Sequence, residues 1–253
     1  MTKIIEVSNF YYESLFKDLT FSVEKNKFIT ISGPNNCGKT TLIRILNREL
    51  ITRNNIIINN RHINDYTIEE YNKLVQCIIP LEIIFEESTL EEELLRYNND
   101  TKEVDNLLKK LKLKKQSTTN INKLTKKEIV LSQIAISLIK KPKILLIDNI
   151  STYFSDKEII EIIKFLKEYQ KITIIYTTIH LEESVYSDYL YFINNNKIVL
   201  EGKPLDILQK DNIINKIGLE LPFMVDLSVK LKDYELIKDL ELDPERMVDN
   251  LWK

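Results

Sequence analysis

Gly33-Pro34-Asn35-Asn36-Cys37-Gly38-Lys39-Thr40 is the stretch on which the reading of this chain turns. It satisfies the pattern G-x-x-x-x-G-K-[ST], and the residues on either side give it the setting that pattern requires. Phe28 to Ser32 is a short apolar, β-branched run that reads as a strand, while Leu42, Ile43, Ile45, Leu46 and Leu50 recur at helical intervals. A tight loop between strand and helix turns its backbone N–H groups onto the phosphates of a nucleotide at the helix N-terminus. In that chemistry Lys39 reaches the β- and γ-phosphate oxygens, the Thr40 hydroxyl ligates Mg2+, and Thr41 adds a phosphate contact. Pro34, Asn35, Asn36 and Cys37 supply the loop backbone between the two glycines.

Outward from the loop, short alternating runs (Ile4 to Val7, Leu19 to Val23) read as N-terminal strands. Ile56-Ile57-Ile58 with Asn59-Asn60 and Ile63 predicts a hairpin, and Val75 to Ile79 a strand ended by Pro80. Thr89 to Lys141 has a helical pattern. Lys143 to Ile147 and Ile172 to Thr177 are apolar without alternation, as central parallel strands covered on both faces are. The helix Lys157 to Glu168 between them completes a strand–helix–strand crossover. Tyr191 to Val199 predicts a last hairpin turning at Asn194-Asn195-Asn196, and the pattern from Pro204 to Lys253 is helical again. The fold class is α/β.

Composition narrows the partners. With 36 Lys and Arg against 38 Asp and Glu in 253 residues, no net basic field exists to hold a nucleic-acid backbone. No apolar run approaches the ~18 residues that span a bilayer, and MTKIIEVSNF lacks the features of a signal peptide, so a cytoplasmic location is expected. Two cysteines, Cys37 and Cys77, make no disulfide framework. Glycine is scarce, four residues where ~7% of a chain is usual, and Asn stands at the expected turns in its place.

The rest of the chain resembles one family. Lys140-Lys141-Pro142-Lys143-Ile144-Leu145-Leu146-Ile147-Asp148 is similar to the run ending in the Walker B aspartate of ATP-binding-cassette (ABC) ATPases, and Ile174 to His180 to their switch-histidine strand. Phe10-Tyr11-Tyr12 resembles the adenine-stacking segment, with Tyr12 the stacker; an ordinary edge-strand aromatic is the competing reading. The tail (Glu201 to Leu208, Ile217 to Phe223, Leu227, Leu231, Leu242-Asp243-Pro244-Glu245, Met247, Leu251) looks like the C-terminal extension of energy-coupling factor (ECF) transporter ATPases. A generic helical pair packed on the core is the alternative there.

The resemblance implies a P-loop, RecA-like cassette over residues 1–204, with an N-terminal antiparallel β subdomain and a helical subdomain near 86–141. Residues 205–253 would form a helical extension used in dimerisation. It implies ATP as ligand, Mg2+ held by Thr40 and Asp148, and His180 sensing the γ-phosphate, with a merely structural His180 as the alternative. Implied partners are a second cassette ATPase, a transmembrane scaffold and a substrate-capturing membrane subunit, which places the chain peripherally at the cytoplasmic face of the membrane.

Several positions depart from the family. Asn149 follows Asp148 where active cassettes carry the glutamate that polarises water, and an amide cannot act as that base. The signature written LSGGQ falls on Leu124-Thr125-Lys126-Lys127-Glu128, where Thr125 keeps the hydroxyl and the lysines bring charge that attracts phosphate. Pro80 stands at the Q-loop glutamine, with Gln76 four residues early, and Ser155 stands near the D-loop aspartate. Two functions are expected to compete: a motor subunit of an ECF-type importer, slow at its own site, or a hydrolysis-deficient regulatory subunit beside an active ATPase. A heterodimer is favoured, because two copies would carry every departure twice. A soluble cassette protein of assembly or translation is the weaker third.

Overall fold

A computed structural model describes residues 2–53, 55–169, 171–208, 221–242 and 244–252. The chain begins with β1 (Lys3–Tyr12), β2 (Phe16–Glu24) and β3 (Phe28–Ser32), then α1 (Lys39–Leu46), β4 (Asn55–Ile58), β5 (Arg61–His62), α2 (Ile68–Leu74) and β6 (Val75–Ile78). Next come α3 (Leu90–Tyr97), α4 (Thr101–Lys110) and α5 (Lys126–Ile139), followed by β7 (Ile144–Asp148), α6 (Asp156–Glu168), β8 (Thr173–Thr178) and α7 (Leu181–Ser184). The hairpin β9 (Tyr189–Asn194) and β10 (Lys197–Gly202), then α8 (Pro204–Leu208) and helices Phe223–Asp233 and Pro244–Leu251, complete it. Among the described residues no helix is long and apolar enough to cross a membrane.

Two sheets form the framework. An antiparallel sheet runs β2-β1-β4-β5, and a six-stranded sheet runs β10-β9-β3-β8-β7-β6, parallel except for its terminal hairpin. Every residue of β3, β7 and β8 is buried, which explains their unalternated apolar composition. Ile29, Ile31, Ile144, Leu146 and Ile175 face one core, shared with α1 and the antiparallel sheet. Phe28, Leu145, Ile147, Ile174 and Tyr176 face the other, beneath α3 to α6. Burying one such aliphatic side chain contributes about 1.5–3 kcal/mol. Val225, from the helix Phe223–Asp233, packs with Leu190, Phe192 and Leu208 in a third cluster.

The asparagine substitution for glycine is visible in the backbone. Asn59 and Asn60 have φ of 47° and 64°, and Asn195 and Asn196 of 47° and 70°, so both hairpins turn through two left-handed residues. Two expectations change. The helical stretch from Thr89 is broken twice, because Asp100 accepts N–H bonds from Lys102 and Glu103 and Thr125 from Glu128, each starting a new helix. The sequence reading also passed over α2, whose start is a reciprocal cap between Thr67 and Glu70. In the C-terminal helical stretch, Ile217-Gly218-Leu219-Glu220 and Asp243 lie outside the described residues.

Candidate functional site

The loop from Gly33 to Thr40 leaves the carboxyl end of β3 and enters α1, with its glycines where side chains cannot fit. A Cβ on Gly33 would stand 2.3 Å from the Ile193 carbonyl oxygen, and one on Gly38 would stand 2.6 Å from Phe16 Cζ; Gly38 also has φ of 99°. Asn36 takes the remaining left-handed position, at φ 63°. The buried Lys39 ammonium donates to the carbonyls of Gly33 and Pro34 at 2.8 and 2.9 Å, with Cys37 Sγ 3.7 Å away. Each of α2 to α6 begins with a capping side chain, whereas α1 begins at Gly38 with no side-chain cap and no acidic residue in its first turn. Its N-terminal amides and the dipole behind them are therefore directed into a cavity of about 320 Å3 lined by Asn35, Asn36, Lys39, Thr40, Thr41, Asp148 and Asn149.

Asp148 closes that cavity from the end of β7. Its Oδ2 accepts from the Thr40 hydroxyl at 2.7 Å and its Oδ1 from the Thr177 hydroxyl at 2.5 Å. Strand register accounts for the second bond, since Asp148 pairs with Thr177 across the β7–β8 ladder. Among the described residues no cationic side chain forms an ion pair with this buried carboxylate. A buried carboxylate with only hydroxyl partners, beside a threonine oxygen, is a donor set that suits a hard divalent cation such as Mg2+. Asn149 follows in a left-handed conformation at φ 40°, its N–H on the Thr177 carbonyl at 3.0 Å and its Oδ1 accepting from Ser151 Oγ at 3.3 Å.

Other expected residues lie elsewhere. Tyr12 is half-buried with its ring parallel to Phe10, centroids 6.3 Å apart, and Leu15 rather than Tyr12 reaches the cavity. A bulge near Asn9 shifts the alternation of β1, leaving Tyr11 outward. His180 stands exposed at the start of α7 and lines a separate depression with Ser151, Phe154 and Glu183. Beside it the buried Glu183 accepts from the Tyr176 hydroxyl, and burial pushes its carboxyl up.

Leu124 is buried, and the Thr125 hydroxyl donates to Glu128 Oε2 at 2.8 Å, capping α5 with the chain's own carboxylate. Lys127 pairs with Glu158 of α6, so that lysine's charge is already matched, while Lys126 is exposed. Ser155 begins α6, bonded to Glu158 at 3.0 Å. Pro80 follows the end of β6, and Gln76 turns its amide onto the Asn72 carbonyl at 2.5 Å. Sequence reasoning missed Thr177, a contact that only the neighbouring-strand register creates.

A glycine loop after β3, an uncapped helix and a carboxylate at the end of β7, one strand removed from β3 in the same parallel sheet, define a P-loop nucleotide-binding protein built as an ABC-type cassette. The chain belongs to the ABC transporter family, whose profile matches residues 16–152, more than half of it; the family's shared chemistry is ATP binding and hydrolysis. It is 24% identical to the energy-coupling factor transporter ATP-binding protein EcfA1 of Listeria innocua serovar 6a, over 94% of this chain and 90% of that one. It is 29% identical to the spermidine/putrescine import ATP-binding protein PotA of Clostridium novyi, over 89% of this chain and 72% of that one. Among solved structures, cbiO1 from Clostridium perfringens, part of the ABC transporter complex cbiONQ, shares the fold with a TM-score of 0.73 at 21% identity, over 89% of this chain and 98% of that one.

Proposed function

We propose that this chain is the ATP-binding subunit of an ECF-type importer, coupling MgATP binding and hydrolysis to uptake of a micronutrient such as a vitamin or a transition metal. The observation that carries the nucleotide is the uncapped N-terminus of α1 opening onto Lys39 and the Thr40–Asp148 pair. The importer reading is supported by similarity to ECF ATP-binding proteins over nearly the full length of both chains. In this reading the loop amides and Lys39 bind and orient the phosphates, and Thr40 and Asp148 hold Mg2+, which would neutralise charge on the β- and γ-oxygens. Asn149 holds water by hydrogen bonds without taking its proton, so this site turns over slowly. His180 senses the γ-phosphate once the protein closes around nucleotide, and Tyr12 lies at the adenine end.

Leu124 to Glu128 face the nucleotide of a partner cassette, a different protein from this one, and residues 205–253 contribute to that pairing. The complex sits at the cytoplasmic face of the membrane on a transmembrane scaffold and a substrate-binding membrane subunit. A second reading, a hydrolysis-deficient regulatory subunit, is favoured by the Glu128 carboxylate on the α5 N-terminus, where a phosphate would be repelled.

Affinity purification of the tagged chain from detergent-solubilised membranes tests the importer. An intact second cassette and small polytopic membrane proteins are expected to co-elute in stoichiometric amounts. Recovery only from the soluble fraction, without membrane proteins, rejects it.

A further inference from the structure

A buried glutamine reaches the segment after β6, from an unexpected direction. Gln133 lies in the middle of α5 and is almost fully buried. Its Oε1 accepts from the Leu81 N–H at 3.0 Å, and its Nε2 donates to the carbonyls of Ile79 and Glu82 at 2.8 and 3.4 Å. This stretch contains Pro80, which the sequence reading set at the position of the family's glutamine. An amide can accept from an N–H with its oxygen and donate two bonds to carbonyls with its NH2, all in a single plane. A carboxylate here would face two carbonyls without a proton to give, and an apolar side chain would leave buried backbone groups unpaired.

The segment is also held on its other sides. Glu82 pairs with Arg44 of α1 at 2.5 Å, and Arg44 lies one helical turn after Thr40. Farther along, the buried Glu93 of α3 accepts the N–H groups of Glu86 and Glu87 at 2.9 and 3.0 Å. Ile78 pairs with Ile147, the residue before Asp148, so Ile79 leaves the sheet beside the carboxylate of the site. The short stretch from Ile78 to Glu82 thus meets α5 through its backbone, α1 through the Glu82 side chain, and the strand carrying Asp148 through Ile78.

We propose that Gln133 is a positioning residue that couples α5, with Leu124 to Glu128 at its start, to the nucleotide-binding helix α1 through the segment Ile79–Glu82. The proposal rests on the reading that the chain binds MgATP. Movement of α5 relative to the sheet carries Gln133 and with it the backbone of residues 79–82; Glu82 passes the displacement to Arg44.

Hydrogen exchange followed by mass spectrometry on the purified full chain, with and without MgATP, tests the coupling. In the wild type MgATP is expected to slow exchange in residues 33–41, 79–82 and 126–133. Gln133→Met keeps the volume and loses the bonds; it is expected to retain the slowing in 33–41 while the nucleotide-dependent slowing in 126–133 falls about fivefold, the effect of one net hydrogen bond. Gln133→Glu is expected to show the same loss, and Glu82→Ala, an exposed change that spares the core, to uncouple 79–82 from 33–41. A purely structural Gln133 would raise exchange equally with and without nucleotide, leaving the MgATP response in 126–133 intact, and that result overturns the proposal. So does slowing in the wild type confined to 33–41. No slowing in 33–41 of the wild type rejects the nucleotide-binding reading itself, and the proposal with it.

Discussion

Thr40 and Asp148, 108 residues apart in sequence, meet at 2.7 Å between hydroxyl and carboxylate, joining the start of α1 to the end of β7. The bond orients the threonine oxygen and the carboxylate toward one side of the cavity. Asp148→Asn removes the charge while preserving the shape. It is expected to weaken Mg2+-dependent ATP binding about tenfold to a hundredfold, the worth of one or two hydrogen bonds to a charged group. Calorimetric titration in Mg2+ and in chelator checks this; a wild-type affinity that ignores Mg2+ contradicts it.

Gly38→Ala introduces a Cβ at 2.6 Å from Phe16 Cζ and a side chain at φ 99°. The variant is expected to lose about 1–3 kcal/mol of stability through strain, seen as a fall of several degrees in thermal midpoint. ATP binding falls with it, since the same displacement moves the amides at the start of α1. A variant that melts with the wild type would mean that Phe16 yields freely.

On the proposed reading, Asn149→Glu supplies a general base where the amide cannot act as one. Phosphate release by the assembled complex is expected to rise at least about tenfold, within the range positioned bases provide. An unchanged rate would place the limit elsewhere, in the altered segment Leu124 to Glu128 or in the pairing with another cassette.

Two carboxylates make the folded protein sensitive to acid. Lys127 and the Ser155 amide pull the Glu158 carboxyl down to about 2, and the Thr125 amide lowers Glu128 from its ordinary 4.5. Because the folded values are depressed, the stability these groups add is complete above about pH 4.5 and is lost as pH falls toward 2. Denaturant midpoints for Glu158→Gln and the wild type are expected to differ at about pH 7 and to draw together as pH falls through about 2. A gap that stays constant over that range would assign the effect to packing.

Much of the site was legible because its chemistry constrains the backbone. Gly33, Gly38, Lys39 and Thr40 are recognisable in sequence since few other residues satisfy a loop closing on phosphate. The central strands β3, β7 and β8 were legible for a related reason, burial on both faces leaving no room for alternation. What sequence reasoning missed depends on relations between elements. Thr177 meets Asp148 through strand register, the register shifts of β1 on either side of Phe10 decide which way Tyr11 and Tyr12 face, and Gln133 acquires its partners only once α5 lies across residues 79–82. Helix α2 escaped notice because seven residues give too short a periodic signal. The hydroxyl that Thr125 keeps in the signature is engaged, because a glutamate three residues on completes a capping box that the sequence reading passed over.

Glycine in this chain works as a steric record. Elsewhere asparagine takes left-handed positions, at Asn26, Asn59, Asn60, Asn195 and Asn196, without needing glycine there. At Gly33 and Gly38 no substitute fits, because the obstacle is the first side-chain carbon itself, meeting a carbonyl in one case and an aromatic ring in the other. Among the described glycines these two are the points where the architecture leaves no room for a side chain, and both lie on the same eight-residue loop.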